Sequence, residues 1–538
     1  MNPDLSLVMN AHNEAGYILR TLRSTEEAAR FAIAHGDRIE LTVVLDRPSD
    51  ELLDVINRYR PTIFDGYQTL TVDHGSLGLS RNAGINASGG EYVALCDADD
   101  LISFNAFDSS LMTARREGPS AVVTPEYLFG FGRNHDICRY ADSEVVTPLR
   151  FLTLHPFNSR ILARRELLLT VPFTDVPLGS GHAYEDWLLN CDLLASGARL
   201  VVAPGTILFH RRRLQSLSAT ATTISSRQIP PSRLFAPEVY LSATAAAMSR
   251  VAHSVTGSDE PAIPLADSSF LNTALCRELL YAANHIDPAI SPGRYASSHW
   301  QATREFPVQA GVEYYRLCEA IGSADTITDI VFASPEMPVM RAERIRDALL
   351  TTASERAATR LLVLAESSGA LAFWSAHQSD LPHDSVLLDV GDTGGILTQD
   401  DAEVLCLKLI QATAPSTRVH LGDSSFGRRF WLRFGALLAD KCCVLHRMGH
   451  LTEEIDGRRF VVDEDFELIS DARHTLSKII AHHGHDIAAD QALVGVEDDL
   501  WQLAPPPLGH GPQATSAAVP SAALLRYLEE FAADAPTG

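Results

Sequence analysis

Four short apolar runs in the first hundred residues, at 5–9, 40–45, 67–72 and 92–96, alternate with stretches of helical periodicity, and this alternation leaves few folds open. Strand, polar loop and helix recurring in that order build a parallel sheet, because parallel neighbours need a crossover and the crossover is right-handed. The C-terminal ends of strands one, two and four then share one edge, where open α/β sheets bind their ligands. Delivered to that edge are Asn13 and Glu14 after the first strand, Asp46 after the second, and Asp97, Asp99 and Asp100 after the fourth, in the sequence CDADD. Acidic residues at a strand end often form no more than a solvated turn. As hard oxygen ligands they also suit Mg²⁺ or Mn²⁺ carrying a diphosphate.

The intervening helices have ordinary signals. Residues 16–34 place Ile18, Leu19, Leu22 and Ala29 on one face, Ser49 caps 50–60, and Gly89-Gly90 closes 80–88. Further on, 121–124 reads as a strand, 157–169 as a strand leading into a helix, and 177–183 as a flexible loop. Residues 184–196, YEDWLLNCDLLAS, carry an apolar stripe of Trp187, Leu188, Cys191 and Leu194. That stripe leaves Glu185 and Asp186 in the first turn, where the helix dipole favours carboxylates. A strand at 199–203 and an apolar stretch at 206–210 then run into Arg211, Arg212 and Arg213.

With 44 Lys and Arg against 68 Asp and Glu, the formal charge is −24, which disfavours nucleic acid or an anionic membrane surface as a partner of the whole molecule. An anionic ligand must therefore meet local basic residues, and the best candidates for a diphosphate are Arg81 and the arginine run. His210, just before that run, is a candidate third metal ligand. Neither G-x-G-x-x-G nor G-x-x-x-x-G-K-[ST] occurs, so a nucleotide would be held by side chains and a metal, not by a glycine-rich cradle. The eight cysteines form no CxxC pair, the N-terminus lacks a signal-peptide pattern, and no apolar run approaches the ~20 residues that span a bilayer. The expectation is a reduced, cytoplasmic protein that meets a membrane only peripherally.

Five segments in order, LSLVMNAHNE, VVLDRPSDE, GLSRNAGINASGGEYVALCDADD, YEDWLLNCDLLASG and FHRRRLQSLS, resemble a family 2 glycosyltransferase of the GT-A fold over residues 4–218. The resemblance implies a nucleotide-diphospho-sugar donor, with UDP as its nucleotide, and inversion at the anomeric carbon. It also implies a glycan or lipid-linked acceptor and a divalent metal, Mn²⁺ or Mg²⁺. By the same resemblance Asp186 would be the general base, with Glu185 orienting it or binding acceptor. Glu14, Asp46, Arg81, Asp97, Arg211 and Arg212 would serve the donor, and Asp99, Asp97 and His210 the metal. Bacterial surface polysaccharide or glycoconjugate assembly is the implied setting, and a homo-oligomer is compatible with it. Two rival readings are a sugar-phosphate nucleotidyltransferase, which would want a glycine- and arginine-rich loop in place of NAHNEAG, and an inactive glycan- or partner-binding scaffold.

After 218 the composition shifts to Ala, Ser, Thr and Pro, and 219–325 reads as a helical connector. From 326 to 490 alternation returns, with strands at 329–333, 360–364, 385–390, 418–421 and 442–446 and helices at 339–350, 371–377, 399–412 and 426–439. This is a second Rossmann-like α/β domain. Its segments DIVFASPEMPVMRAERIRDAL and HLGDSSFGRRFWLRFGALLADKCCVLHRM resemble the N-terminal half of a family 4, GT-B type glycosyltransferase. A loop at 391–395, GDTGG, offers a phosphate cradle or a plain turn, and 491–538 reads as a Pro/Ala-rich tail with a short helix at 522–533.

Overall fold

The computed structural model describes residues 2–213, 225–256, 268–334, 360–390, 397–422, 424–447, 451–455, 458–462, 465–481 and 499–503, with 343, 345–347, 349, 487 and 491. The GDTGG loop, the short helix at 522–533 and most of the helix expected at 339–350 lie outside these residues. The chain divides into two compact units, Met1–Glu319 and Ala320–Gly538.

The first unit opens with β1 (Leu5–Ala11), α1 (Ile18–Ala34), β2 (Ile39–Asp46), α2 (Asp50–Arg58), β3 (Gly66–Val72), α3 (Leu77–Ala87) and β4 (Tyr92–Asp97). The parallel order is β4-β1-β2-β3, with Asn10 in register with Asp97 and Ala11 with Leu45. Strand ends one, two and four therefore meet, as the alternation requires. Both faces are covered. Leu5, Leu7 and Met9 pack with Ile18, Leu22, Ala28 and Ala29 of α1, while Val8 and Val44 on the opposite face meet α3 at Gly84. A Cβ at Gly84 would overlap Val8 Cγ1 and lie 2.9 Å from Val44 Cγ2. Gly84→Ala is accordingly expected to destabilise this unit by about 1–3 kcal/mol, read as a lowered denaturant midpoint. Helix α3 starts at Leu77, earlier than its periodicity suggests, because Ser76 accepts the Leu79 N–H as an N-cap.

The sheet continues through β5 (Leu101–Ile102), α4 (Ala106–Glu117), β6 (Ala121–Gly132), β7 (Asp136–Arg139), β8 (Leu162–Arg164), α5 (Arg165–Thr170), α6 (Glu185–Ala195) and β9 (Arg199–Arg212). Strand β6 runs far past the expected residue 124. Its alternating Tyr127, Phe129 and Phe131 are strand-forming residues that keep pairing with β9 beyond a bulge at Pro125/Tyr127. Their buried face packs on Cys276, Leu279, Leu280 and Ala283. Those residues belong to α8 (Ala274–Ile286), which follows α7 (Pro237–Thr256) and precedes α9 (Pro292–Tyr295), β10 (His299–Ala302) and α10 (Gln309–Ile321). The stretch read as a connector thus supplies a helical layer and an edge strand, β10 pairing with β7.

The second unit is a sheet of seven parallel strands in the order β13-β12-β11-β14-β15-β18-β19. These are β11 (Asp329–Ala333), β12 (Leu361–Ala365), β13 (Val386–Asp389), β14 (Arg418–Leu421), β15 (Cys442–Arg447), β18 (Lys478–Ala481) and β19 (Trp501–Leu503), with a separate hairpin of β16 (Leu451–Ile455) and β17 (Arg458–Val462). Helices α11 (Ser368–Ala376), α12 (Gln399–Gln411) and α13 (Ser425–Phe434) alternate with the strands. Strand β19 comes from the stretch that composition assigns to the tail. Among the described residues no helix is long and apolar enough to cross a membrane.

Candidate active site

Asp97 ends β4 and carries two guanidinium groups. Arg81 of α3 donates from Nη2 to its Oδ1 at 3.2 Å, and Arg160 is ion-paired to its Oδ2. Arg81, 1% exposed, also donates from Nη1 to Glu185 Oε1 at 2.8 Å. One buried arginine therefore ties the strand-four carboxylate to the first turn of α6. Arg160 likewise reaches Asp100 Oδ2 at 2.6 Å. Asp100 accepts in addition from His210 Nδ1 at 3.0 Å and from the Arg211 N–H at 2.9 Å. Burial would raise the Asp100 carboxyl, but His210 and Arg160 outweigh it and hold the group well below the ordinary carboxylate range. Asp99, 8% exposed, is pushed up to about 7 by burial and then by Asp100, with Arg213 opposing. Beside these groups Asn10, 6% exposed and in register with Asp97, has neither amide atom hydrogen-bonded.

Asp46, expected to serve the donor, is engaged by its own neighbouring loop. Its Oδ1 accepts from the His74 N–H (2.9 Å) and the Gly75 N–H (3.0 Å), and its Oδ2 from the Ser76 N–H (3.2 Å) and Ser80 Oγ (2.7 Å). A carboxylate has about four acceptor positions, so the group is saturated. Burial alone would raise it, yet these donors, led by the Gly75 N–H, keep it below its ordinary value. Asp46 is a staple that fixes the turn leading into α3, and so places Arg81.

The arginine run divides by strand alternation. Arg211 is buried between the rings of Phe131 and Tyr17, at 4.4 and 4.7 Å, and is ion-paired to Asp287. Arg212, on the other face, makes a two-point pair with Asp136 at 3.0 and 2.6 Å. Both guanidinium groups expected to serve the donor are thus engaged by carboxylates of the protein itself. The arginine that reaches the carboxylate edge is Arg213, 2.6 Å from Asp99 Oδ2 and 3.5 Å from Glu14 Oε1. Glu14 is turned back on its own loop as well, accepting from the His12 and Asn13 N–H groups at 2.7 and 3.0 Å.

At the start of α6, Tyr184 takes a left-handed φ of 67° and turns the chain so that Glu185 and Asp186 begin the helix. Burial, with Asp186 next to it, raises the Glu185 carboxyl against the pull of Arg81. Asp186 Oδ1 accepts the Trp187 N–H at 2.9 Å, and its Oδ2 faces His155 Nδ1 at 3.7 Å.

Residues 6–160 match the model of the family described as Glycosyl transferase family 2. Over this stretch the chain is similar to glycosyltransferase family 2. The stretch holds Glu14, Asp46, Arg81, Asp97 and Asp99 and ends before Glu185, Asp186 and His210. A protein of Bacillus subtilis (strain 168), EpsH, whose name places it provisionally among glycosyltransferases, is 30% identical over 115 residues. The alignment covers 21% of this chain and 31% of EpsH, so the chain spans about a third of that relative's length. Among solved structures, S. aureus TarS 1–349 in complex with UDP-GlcNAc is 12% identical with a TM-score of 0.36, covering 86% of this chain and 97% of that one. GalNAc-T7 with UDP, GalNAc and Mn²⁺ is 12% identical with a TM-score of 0.29, covering 40% and 45%.

Whether the ends of β4 and β9 hold a divalent cation turns on the donors left over. Among the described residues no three His, Cys, Asp or Glu side chains converge as a metal cage. Mg²⁺-type sites need none, since one or two protein ligands join substrate phosphates. Asp97 is taken by two arginines, whereas Asp99 has, among the described residues, a single side-chain ion-pair partner, Arg213. His210 is held through Nδ1 by Asp100, the arrangement that orients the other ring nitrogen of a metal-binding histidine. Asp99 and His210 fit the group.

Proposed function

We propose that the first unit is an inverting, metal-dependent glycosyltransferase that moves a sugar from a nucleotide-diphosphate donor to an acceptor hydroxyl. The observation that carries this reading is Arg81, which joins Asp97 at the donor edge to Glu185 beside Asp186. The glycosyltransferase family 2 match supports it independently. UDP is the nucleotide we favour, and a polysaccharide or glycoconjugate the product.

In the proposed reaction the acceptor oxygen forms its bond to the anomeric carbon on the face opposite the diphosphate. The bond to the diphosphate breaks with its electron pair, and Asp186 takes the hydroxyl proton. Asp99 and His210 would hold a divalent cation, whose charge neutralises the diphosphate when bound. Arg81 keeps Asp97 and Glu185 in fixed relation, and Asp46 keeps Arg81 in place. Asn10 offers an unsatisfied buried amide to the donor. The second unit is proposed to bind acceptor or to serve assembly. At the N-terminus of its α13, where such folds receive a phosphate, Glu366 already accepts from Ser424 Oγ and from the Phe426 N–H at 3.2 Å.

The test is a thermal-shift and hydrolysis screen of the full chain against nucleotide sugars with Mn²⁺, since a ligand of the native state raises its melting temperature. A UDP-sugar is expected to stabilise and to be slowly hydrolysed; no response to any nucleotide sugar would refute the proposal. Asp99→Ala is expected to weaken Mn²⁺-dependent UDP binding by at least the ~10–100-fold that loss of an outer partner costs a metal site. Titration calorimetry with and without Mn²⁺ reads this, and an unchanged affinity would exclude Asp99 as a ligand.

A further inference from the structure

His155 lies in the irregular segment between β7 and β8, largely buried, its ring nearly parallel to the Trp187 indole at 8° and 6.2 Å between centroids. Its two nitrogens have different neighbours. Nε2 lies 2.9 Å from Asn190 Nδ2, and Nδ1 lies 3.7 Å from Asp186 Oδ2. The Asn190 amide is not free to turn over, because the same Nδ2 donates to the carbonyl of Asn158 at 3.3 Å, and a carbonyl oxygen can only accept. Asn190 therefore presents N–H to Nε2, which must accept. In a neutral imidazole the proton then resides on Nδ1 and points at Asp186. Burial favours the neutral ring, with the Asp186 charge pulling the other way.

Resting on the glycosyltransfer reading above, we propose that His155 is a positioning residue for the base, with the order Asn190, His155, Asp186 setting which carboxylate oxygen meets the acceptor. Oδ1 is committed to the Trp187 N–H. The Nδ1–H of His155 takes one acceptor position of Oδ2 and leaves the other for the hydroxyl whose proton is removed. At 3.7 Å the contact is electrostatic, and such contacts commonly tighten only with substrate bound. Glu185 next door cannot substitute, since it is held by Arg81. The family 2 match ends at residue 160, so Asp186 and Asn190 lie outside it.

Two variants separate position from packing. In His155→Asn the amide nitrogen falls where Nδ1 was, and in His155→Gln it falls where Nε2 was. His155→Gln is expected to lower kcat by about 10–100-fold with donor KM nearly unchanged, the usual scale for a misplaced reacting group, and His155→Asn to recover most of that loss. Equal losses in both variants, or a loss expressed in donor KM, would overturn the role. A second readout needs no turnover: in the full chain with ¹⁵N-labelled imidazoles, His155 is expected to show the neutral Nδ1–H form at pH 7. A dominant Nε2–H form overturns the proposal even in an active enzyme. A wild-type protein that transfers no sugar from any donor overturns the glycosyltransfer reading and this role together.

Discussion

Asp186→Asn is expected to abolish sugar transfer while UDP binding stays within about twofold of the wild type. The substitution changes no shape. An asparagine oxygen can still accept the Trp187 N–H that Asp186 Oδ1 accepts at 2.9 Å, so the first turn of α6 keeps its geometry. What is lost is the ability to take a proton. General-base catalysis contributes on the order of 10²–10⁴ in rate, and the loss should fall in kcat because the base acts on the acceptor, not on the donor. Single-turnover transfer from a UDP-sugar, with UDP affinity measured by calorimetry on the same sample, reads both quantities. Turnover within tenfold of the wild type would place the base elsewhere. The obvious alternative is Glu185, the preceding residue, but its Oε1 is engaged by Arg81 at 2.8 Å.

Much of this site is legible in the sequence because it sits at strand ends. The order of strands and loops is enough to bring Glu14, Asp46 and Asp97 to one edge. It says nothing about how those side chains are spent. Asp46 looks like a ligand carboxylate, yet three of its four donors are at 74–76 and the fourth is Ser80, a set of contacts that has no compositional mark. The arginine run was partly readable. Alternation along a strand puts Arg211 and Arg213 on one face and Arg212 on the other, so the three could not all meet one diphosphate, and the choice between 211 and 213 depended on Asp287, 76 residues downstream of Arg211. The alternating aromatics of β6 were a usable signal for its full length. Arg160 and His155 were not readable at all: each is a single residue in an irregular segment, with nothing periodic to assign it to a face.

Arg160→Met should cost the first unit about 3–5 kcal/mol, the usual penalty for removing one partner from a buried charge cluster. The arginine is 8% exposed and bridges Asp97 and Asp100, with its Nη1 on Ser159 Oγ at 2.5 Å. Methionine replaces its length but none of its charge. Asp97 would keep Arg81 and Asp100 would keep His210, so the three clustered carboxylates would be left with less positive charge than burial allows. Hydrogen exchange at the β4 and β9 amides reads this unit by itself and should show faster opening. Adding Asp100→Asn to Arg160→Met should recover part of the loss, because the amide still accepts the Arg211 N–H while removing one of the under-compensated charges. Strictly additive losses would mean that the two residues do not interact. Since Arg160 lies far from Asp99 in sequence yet holds the carboxylates on either side of it, the same variant should also weaken Mn²⁺-dependent UDP binding, and do so in proportion to the loosening of β4.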